Sequence, residues 1–137
     1  MPVTEHIEGA FEGNLAWLDA LDHRSEVYAG PAVYALMAQQ AFQRLIGQSW
    51  VLYIGHSRLL GGESDRARFY GYRFHPYNLH SGRIRLWAQT LIDEHGWQIS
   101  LRWHIGGPEN AARDERKLLI EHQQDHCELP PFNRRNE

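Results

Sequence analysis

A chain of 137 residues with 42% hydrophobic content can build one core and is short for two ordinary domains, so one soluble domain is expected. No apolar run approaches the roughly 20 residues of a membrane helix. The N-terminal MPVTEHIEGAFEGN lacks the basic start and apolar centre of a secretory leader, so a cytoplasmic protein without a membrane segment is predicted. The net charge of −3 and the single cysteine, Cys127, argue against a uniformly basic surface, an internal disulfide and a thiolate metal cluster.

In NLAWLDALDH (14–23), Leu15, Trp17, Leu18 and Leu21 stand at helical spacing, which predicts a short amphipathic helix over one side of a sheet. Residues 1–29 then form an N-terminal helical extension ahead of a main unit at 30–137. Gly30-Pro31 punctuates, and AVYALM (32–37) and WVLYIG (50–55) follow as strands close enough to pair antiparallel. Gly61-Gly62 marks a loop, and DRARFYGYRF (65–74) is a short helix interrupted by Gly71.

Ile84, Trp87, Ala88, Leu91 and Ile92 repeat with helical period over 81–96, with Ser81 as N-cap and Gly96 at the C-terminal position. WQISLRWHI (97–105) alternates, with Trp97, Ile99, Leu101, Trp103 and Ile105 on one face and Gln98, Ser100, Arg102 and His104 on the other. Gly106-Gly107-Pro108-Glu109 opens a helix running to about His126, and ELPPFNRRNE closes the chain. The order helix, strand, strand, helix, helix, strand, helix predicts a small α+β domain with a three-stranded sheet flanked by helices.

Charge is unevenly spread. Residues 1–30 carry six acids against one arginine, whereas 58–85 carry six arginines (58, 66, 68, 73, 83 and 85) against Glu63 and Asp65. Such a basic segment in an acidic chain is either a solvated face or the footprint of a polyanion ligand.

Four residue sets bear on chemistry. Tyr34 and Tyr53 lie on the two adjacent strands, where both hydroxyls can point to one end of the sheet, and Gly55 leaves room for a ligand or backbone to approach. Either tyrosine alone is better read as core packing with one hydrogen bond. Glu121 sits at the border between the buried stripe and the polar face of the last helix. His122 and His126, four apart beside Cys127, have zinc-like spacing but no evident third and fourth ligand, so solvated histidines are the better reading. A Gly-x-Ser-x-Gly elbow and a Gly-x-x-x-x-Gly-Lys phosphate loop do not occur, which sets those enzyme classes aside.

In order, AVY at 32–34, YIG at 53–55, an arginine soon after, LLIEH at 118–122 and PPFN at 130–133 resemble the GIY-YIG endonuclease family over about 30–133. The closing LLIEH and PPFN look especially like the incision-nuclease domain of bacterial nucleotide-excision repair. Nineteen residues separate Tyr34 from Tyr53 and twelve separate Glu121 from Asn133, and this order and spacing carry more than YIG alone.

The resemblance implies a three-stranded antiparallel sheet flanked by helices and a divalent-metal-dependent hydrolysis of DNA phosphodiesters. Tyr34 and Tyr53 would stand at the site, Tyr53 helping to deprotonate or orient the attacking water. Since tyrosine titrates near 10, that role needs a metal or cation beside it. Glu121 would hold Mg²⁺ or Mn²⁺, and Asn133 would hold Glu121 or a phosphate. Compact members place the arginine eight residues past the YIG glycine, where this chain has Glu63.

An insertion with Gly61-Gly62 brings Arg68 into register, with Tyr72 four residues on, ahead of Arg66 with Tyr70. Its guanidinium suits bidentate phosphate contact. Arg66, Arg73, Arg83 and Arg85 would position the DNA backbone. His56, where several members have lysine, is either a DNA contact or a surface histidine. Target specificity is either intrinsic, structural or supplied by a protein partner or a second copy, and the alternative is an inactive nucleic-acid-binding module on the same fold.

Overall fold

The computed structural model describes residues 11–75, 79–106 and 108–133. Its elements are β1 (Gly13–Ala16), α1 (Trp17–Asp22), β2 (Ala32–Gln43), β3 (Gln48–Ser57), α2 (Arg68–Phe74), α3 (Leu79–His95), β4 (Ile99–Ile105) and α4 (Pro108–His126). The architecture is α+β, with one antiparallel sheet in the order β1-β4-β2-β3. Among the described residues no helix is long and apolar enough to cross a membrane.

Among the described residues the sheet has four strands, not three. Residues 13–16, expected to begin a helix, pair with β4 in the register Gly13↔Trp103 to Ala16↔Ser100. Trp103 dictates the glycine: a Cβ on Gly13 would lie 1.9 Å from its indole. The helix starts at Trp17, whose buried indole packs edge-on against Phe69 (5.5 Å) and Tyr72 (5.3 Å) of α2. Trp17, Ala20, Leu21 and Val27 thus share the core with the strand tyrosines.

Strand β2 is central and buried on both faces. Ala32, Tyr34, Leu36 and Ala38 join the core under α1, α2 and α3, while Val33, Ala35 and Met37 join Leu118 of α4 on the other side. This explains the unbroken apolar run AVYALMA, because a strand covered twice has no solvent face to alternate with. On β4, Ser100 of the expected polar face is buried and Ile105 of the expected apolar face is exposed. Strand position decides this: Ser100 lies opposite Met37 and Ile105 ends the strand.

Helix α3 begins at Leu79, so Ser81 lies inside its first turn and is not the N-cap. Gly96, expected at the C-terminal position, has φ +68, the left-handed conformation that glycine adopts without steric cost. The far end of α4 is fastened to the β2–β3 turn. Arg44 pairs with Glu128 at 3.0 Å and donates to the Leu129 carbonyl, and His126 Nδ1–H donates to the Ile46 carbonyl at 2.8 Å.

Candidate active site

The β2–β3 register places Tyr34 opposite Gly55 and Leu36 opposite Tyr53, so both tyrosines point to the same sheet face. Their ring centroids are 5.8 Å apart. A Cβ on Gly55 would come within 2.7 Å of Tyr53 Cε2 and 3.0 Å of Tyr34 Cζ. The space above this glycine is therefore filled by the two rings. It is not the open approach for a ligand that the sequence suggested.

Arg68, first residue of α2, is the arginine brought to the tyrosines. The backbone N–H groups of Arg68 and Phe69 donate to the Leu59 and Leu60 carbonyls at 2.8 and 3.0 Å, which anchors the helix start to the loop after β3. The guanidinium is half-buried, its strongest electrostatic neighbour is Tyr34, and Tyr72 and Tyr53 follow. Its Nε is buried without a hydrogen-bond acceptor. Arg66 is exposed two residues earlier. Both arginines line a cleft of about 300 Å³ with Ser57, Asp65, Ala67, Gly71 and Ser81.

Two further groups complete the cluster. Tyr72 lies one helical turn beyond Arg68, and its hydroxyl is 2.7 Å from that of Tyr34. Tyr53 Oη lies 3.2 Å from His80 Nε2. Burial pushes the pKa of all three tyrosines up, so the hydroxyls keep their protons. Burial, then Arg68 and Arg83, pulls the His80 pKa down. The family resemblance pointed to Tyr72, four residues after Arg68. It carried no signal for His80, which reaches Tyr53 only through the packing of α3 on the sheet.

The remaining predicted residues sit elsewhere. Asn133 clamps the edge of β3: its Oδ1 accepts the Ile54 N–H at 3.0 Å and its Nδ2 donates to the Ile54 carbonyl at 2.8 Å. Both ends of the Asn133 amide are thus engaged with the β3 backbone, and no bond to Glu121 is formed. Glu121 lines a cavity of about 320 Å³ with Phe11, Val33, His104, Asp114, Lys117 and Leu118. Val33 and Leu118 belong to the core on the α4 side, so the sheet stands between Glu121 and the tyrosines.

His56 also faces α4, where its Nδ1 meets the Glu115 carboxylate. The sequence reading missed Glu115, six residues before Glu121. Of the two carboxylates, Glu115 touches the strand carrying YIG, at a histidine within the electrostatic reach of Arg68.

The other arginines divide by function in the fold. Arg85 donates to the Tyr72 and Arg73 carbonyls at 3.1 and 2.7 Å, satisfying the end of α2. Arg73 faces Asp22 at 3.8 Å and lies over the Phe74 ring. Arg83 lies over Trp87 and contributes to the electrostatics of Tyr53 and His80.

His122 and His126 are buried rather than solvated. His122 Nδ1–H donates to the Glu128 carbonyl at 2.9 Å, and its Nε2 accepts from Ser49 Oγ at 3.2 Å. Among the described residues no group of three or more His, Cys, Asp or Glu is placed to hold a metal ion. Comparison with protein-family models, curated proteins and solved structures returns no match.

Proposed function

We propose that the protein is a divalent-metal-dependent DNA endonuclease of the GIY-YIG type. The observation that carries this reading is Arg68. Its half-buried guanidinium stands among three protonated hydroxyls, and among the described residues it forms no ion pair. A half-buried cation beside hydroxyl groups suits an anion from outside, and the planar guanidinium matches two oxygens of a phosphodiester. Arg66 at the cleft mouth would hold a neighbouring phosphate.

Tyr53 orients the attacking water by hydrogen bonding, since burial keeps it protonated at neutral pH. Tyr34 and Tyr72 hydrogen bond to each other within the electrostatic reach of the arginine. The bound ion would neutralise charge developing on the phosphate and the leaving 3′ oxygen. A hard cation can be held by one carboxylate with waters and substrate phosphate, so a cluster of protein ligands is not required.

Glu121 fits by its spacing to Asn133, but it opens beside Lys117 on the α4 side. Glu115 fits by its contact with His56, a histidine within the electrostatic reach of Arg68, and it stands on the same face of the sheet as Glu121. DNA repair with specificity supplied by a partner protein or a second copy is the setting we propose. A non-catalytic nucleic-acid-binding module is the second reading, favoured by the sheet between Glu121 and Tyr53.

The test compares wild type, Glu115→Ala and Glu121→Ala on supercoiled, branched and single-stranded DNA with Mg²⁺, Mn²⁺ or EDTA. Metal-dependent cleavage abolished by one of the two substitutions supports the nuclease and names the ligand. Binding without cleavage on every substrate supports the second reading.

A further inference from the structure

We propose that His80 is the proton acceptor of Tyr53, a positioning residue that acts on water through the tyrosine hydroxyl; this rests on the nuclease reading above. Tyr53 is 5% exposed, and a phenol so buried cannot give up its proton unless a neighbouring atom receives it. The Tyr34 hydroxyl beside it is engaged with Tyr72 at 2.7 Å. His80 Nε2, 3.2 Å from Tyr53 Oη with ring centroids 5.8 Å apart, is the basic atom in reach.

The surroundings of His80 keep its ring uncharged at neutral pH. Burial disfavours the imidazolium most, and Arg68 from α2 and Arg83 from its own helix act in the same direction. A neutral ring therefore persists below the ordinary histidine range, and the proposal requires the tautomer whose Nε2, facing Tyr53 Oη, carries no proton. In the reaction, Tyr53 Oη takes a proton from water as its own hydroxyl proton passes to His80 Nε2. The water oxygen bonds to phosphorus and the P–O3′ bond breaks. The 3′ oxygen takes a proton from solvent and His80 returns its proton to solvent, so one water is consumed per diester cut.

The test joins ¹⁵N NMR of the His80 ring to the pH dependence of cleavage, on wild type, Tyr53→Phe and His80→Gln. Glutamine can hydrogen bond to Tyr53 but cannot take a proton at neutral pH. The wild-type ring is expected to carry its proton on Nδ1 and to titrate below 6.5, with Tyr53→Phe moving its signals. The cleavage rate should rise with pH through that same titration. His80→Gln should bind DNA normally, lose the acidic limb and slow by about 10²- to 10⁴-fold.

An unchanged rate and limb in His80→Gln overturns the proposal. A wild-type protein that cuts no DNA overturns the nuclease reading, and with it this step, while NMR still decides the contact. Nε2 bare and responsive to Tyr53→Phe upholds the Tyr53–His80 pair, whereas a proton on Nε2 or an indifferent ring refutes it.

Discussion

The hydroxyls of Tyr34 and Tyr72 meet at 2.7 Å, joining the central strand to the helix that begins with Arg68. Both side chains are about 1% exposed or less, so neither hydroxyl has water as a substitute partner. Tyr72→Phe is expected to destabilise the fold by about 1–3 kcal/mol, because the Tyr34 hydroxyl is left unsatisfied. Adding Tyr34→Phe should cost less than the sum of the single changes, since the second removes an already orphaned group. Urea unfolding of the two singles and the double checks both statements.

Gly55→Ala places a methyl 2.7 Å from the Tyr53 ring. Neither ring can retreat freely, because Tyr34 is bonded to Tyr72 and Tyr53 to His80. The variant is expected to lose about 1–3 kcal/mol of stability, as overpacked cores do, and to show altered near-ultraviolet dichroism. Unchanged dichroism and stability would show that the rings have room to move.

The alternation in β4 and the period of α3 and α4 made most of the fold legible, because each buries a face against the sheet. Strand β1 was not legible. Its four residues acquire strand geometry from β4, almost ninety positions later, while Leu15, Trp17, Leu18 and Leu21 present a helical interval locally. At the site, Arg68 could be chosen through Tyr72 one turn ahead. Asn133 was visible as a position but not as a backbone clamp, since pairing with Ile54 depends on where the chain after α4 returns. Glu115 and His80 had no motif to mark them, and only folding brings them to His56 and Tyr53.

His122 gives the protein an acid-sensitive joint. Burial, the largest cause, holds its pKa at about 4, against 6.5 ordinarily. The unfolded chain therefore takes up this proton first, and stability falls as pH drops from 6.5 towards about 4. At about 1.4 kcal/mol per pH unit the loss is on the order of 3 kcal/mol. Urea midpoints measured between pH 7 and about 4 should decline in wild type and decline less in His122→Gln.

Asn133→Ala removes both bonds to Ile54 at the free edge of β3. A cost of about 1–3 kcal/mol is expected, together with faster hydrogen exchange at the Ile54 amide. Asn133→Asp keeps the acceptor but faces the Ile54 carbonyl with a carboxylate, so it should not restore the wild-type exchange rate.

Arg68 tests the central claim most directly. Wild type, Arg68→Ala and Arg66→Ala are assayed for cleavage of supercoiled and branched DNA with Mg²⁺ or Mn²⁺, with EDTA controls. Wild type should cut only with metal, Arg68→Ala should lose at least about 10²-fold in rate as a transition-state contact does, and Arg66→Ala should lose much less. Cutting in EDTA, or an Arg68→Ala protein that cuts at the wild-type rate, would contradict the account.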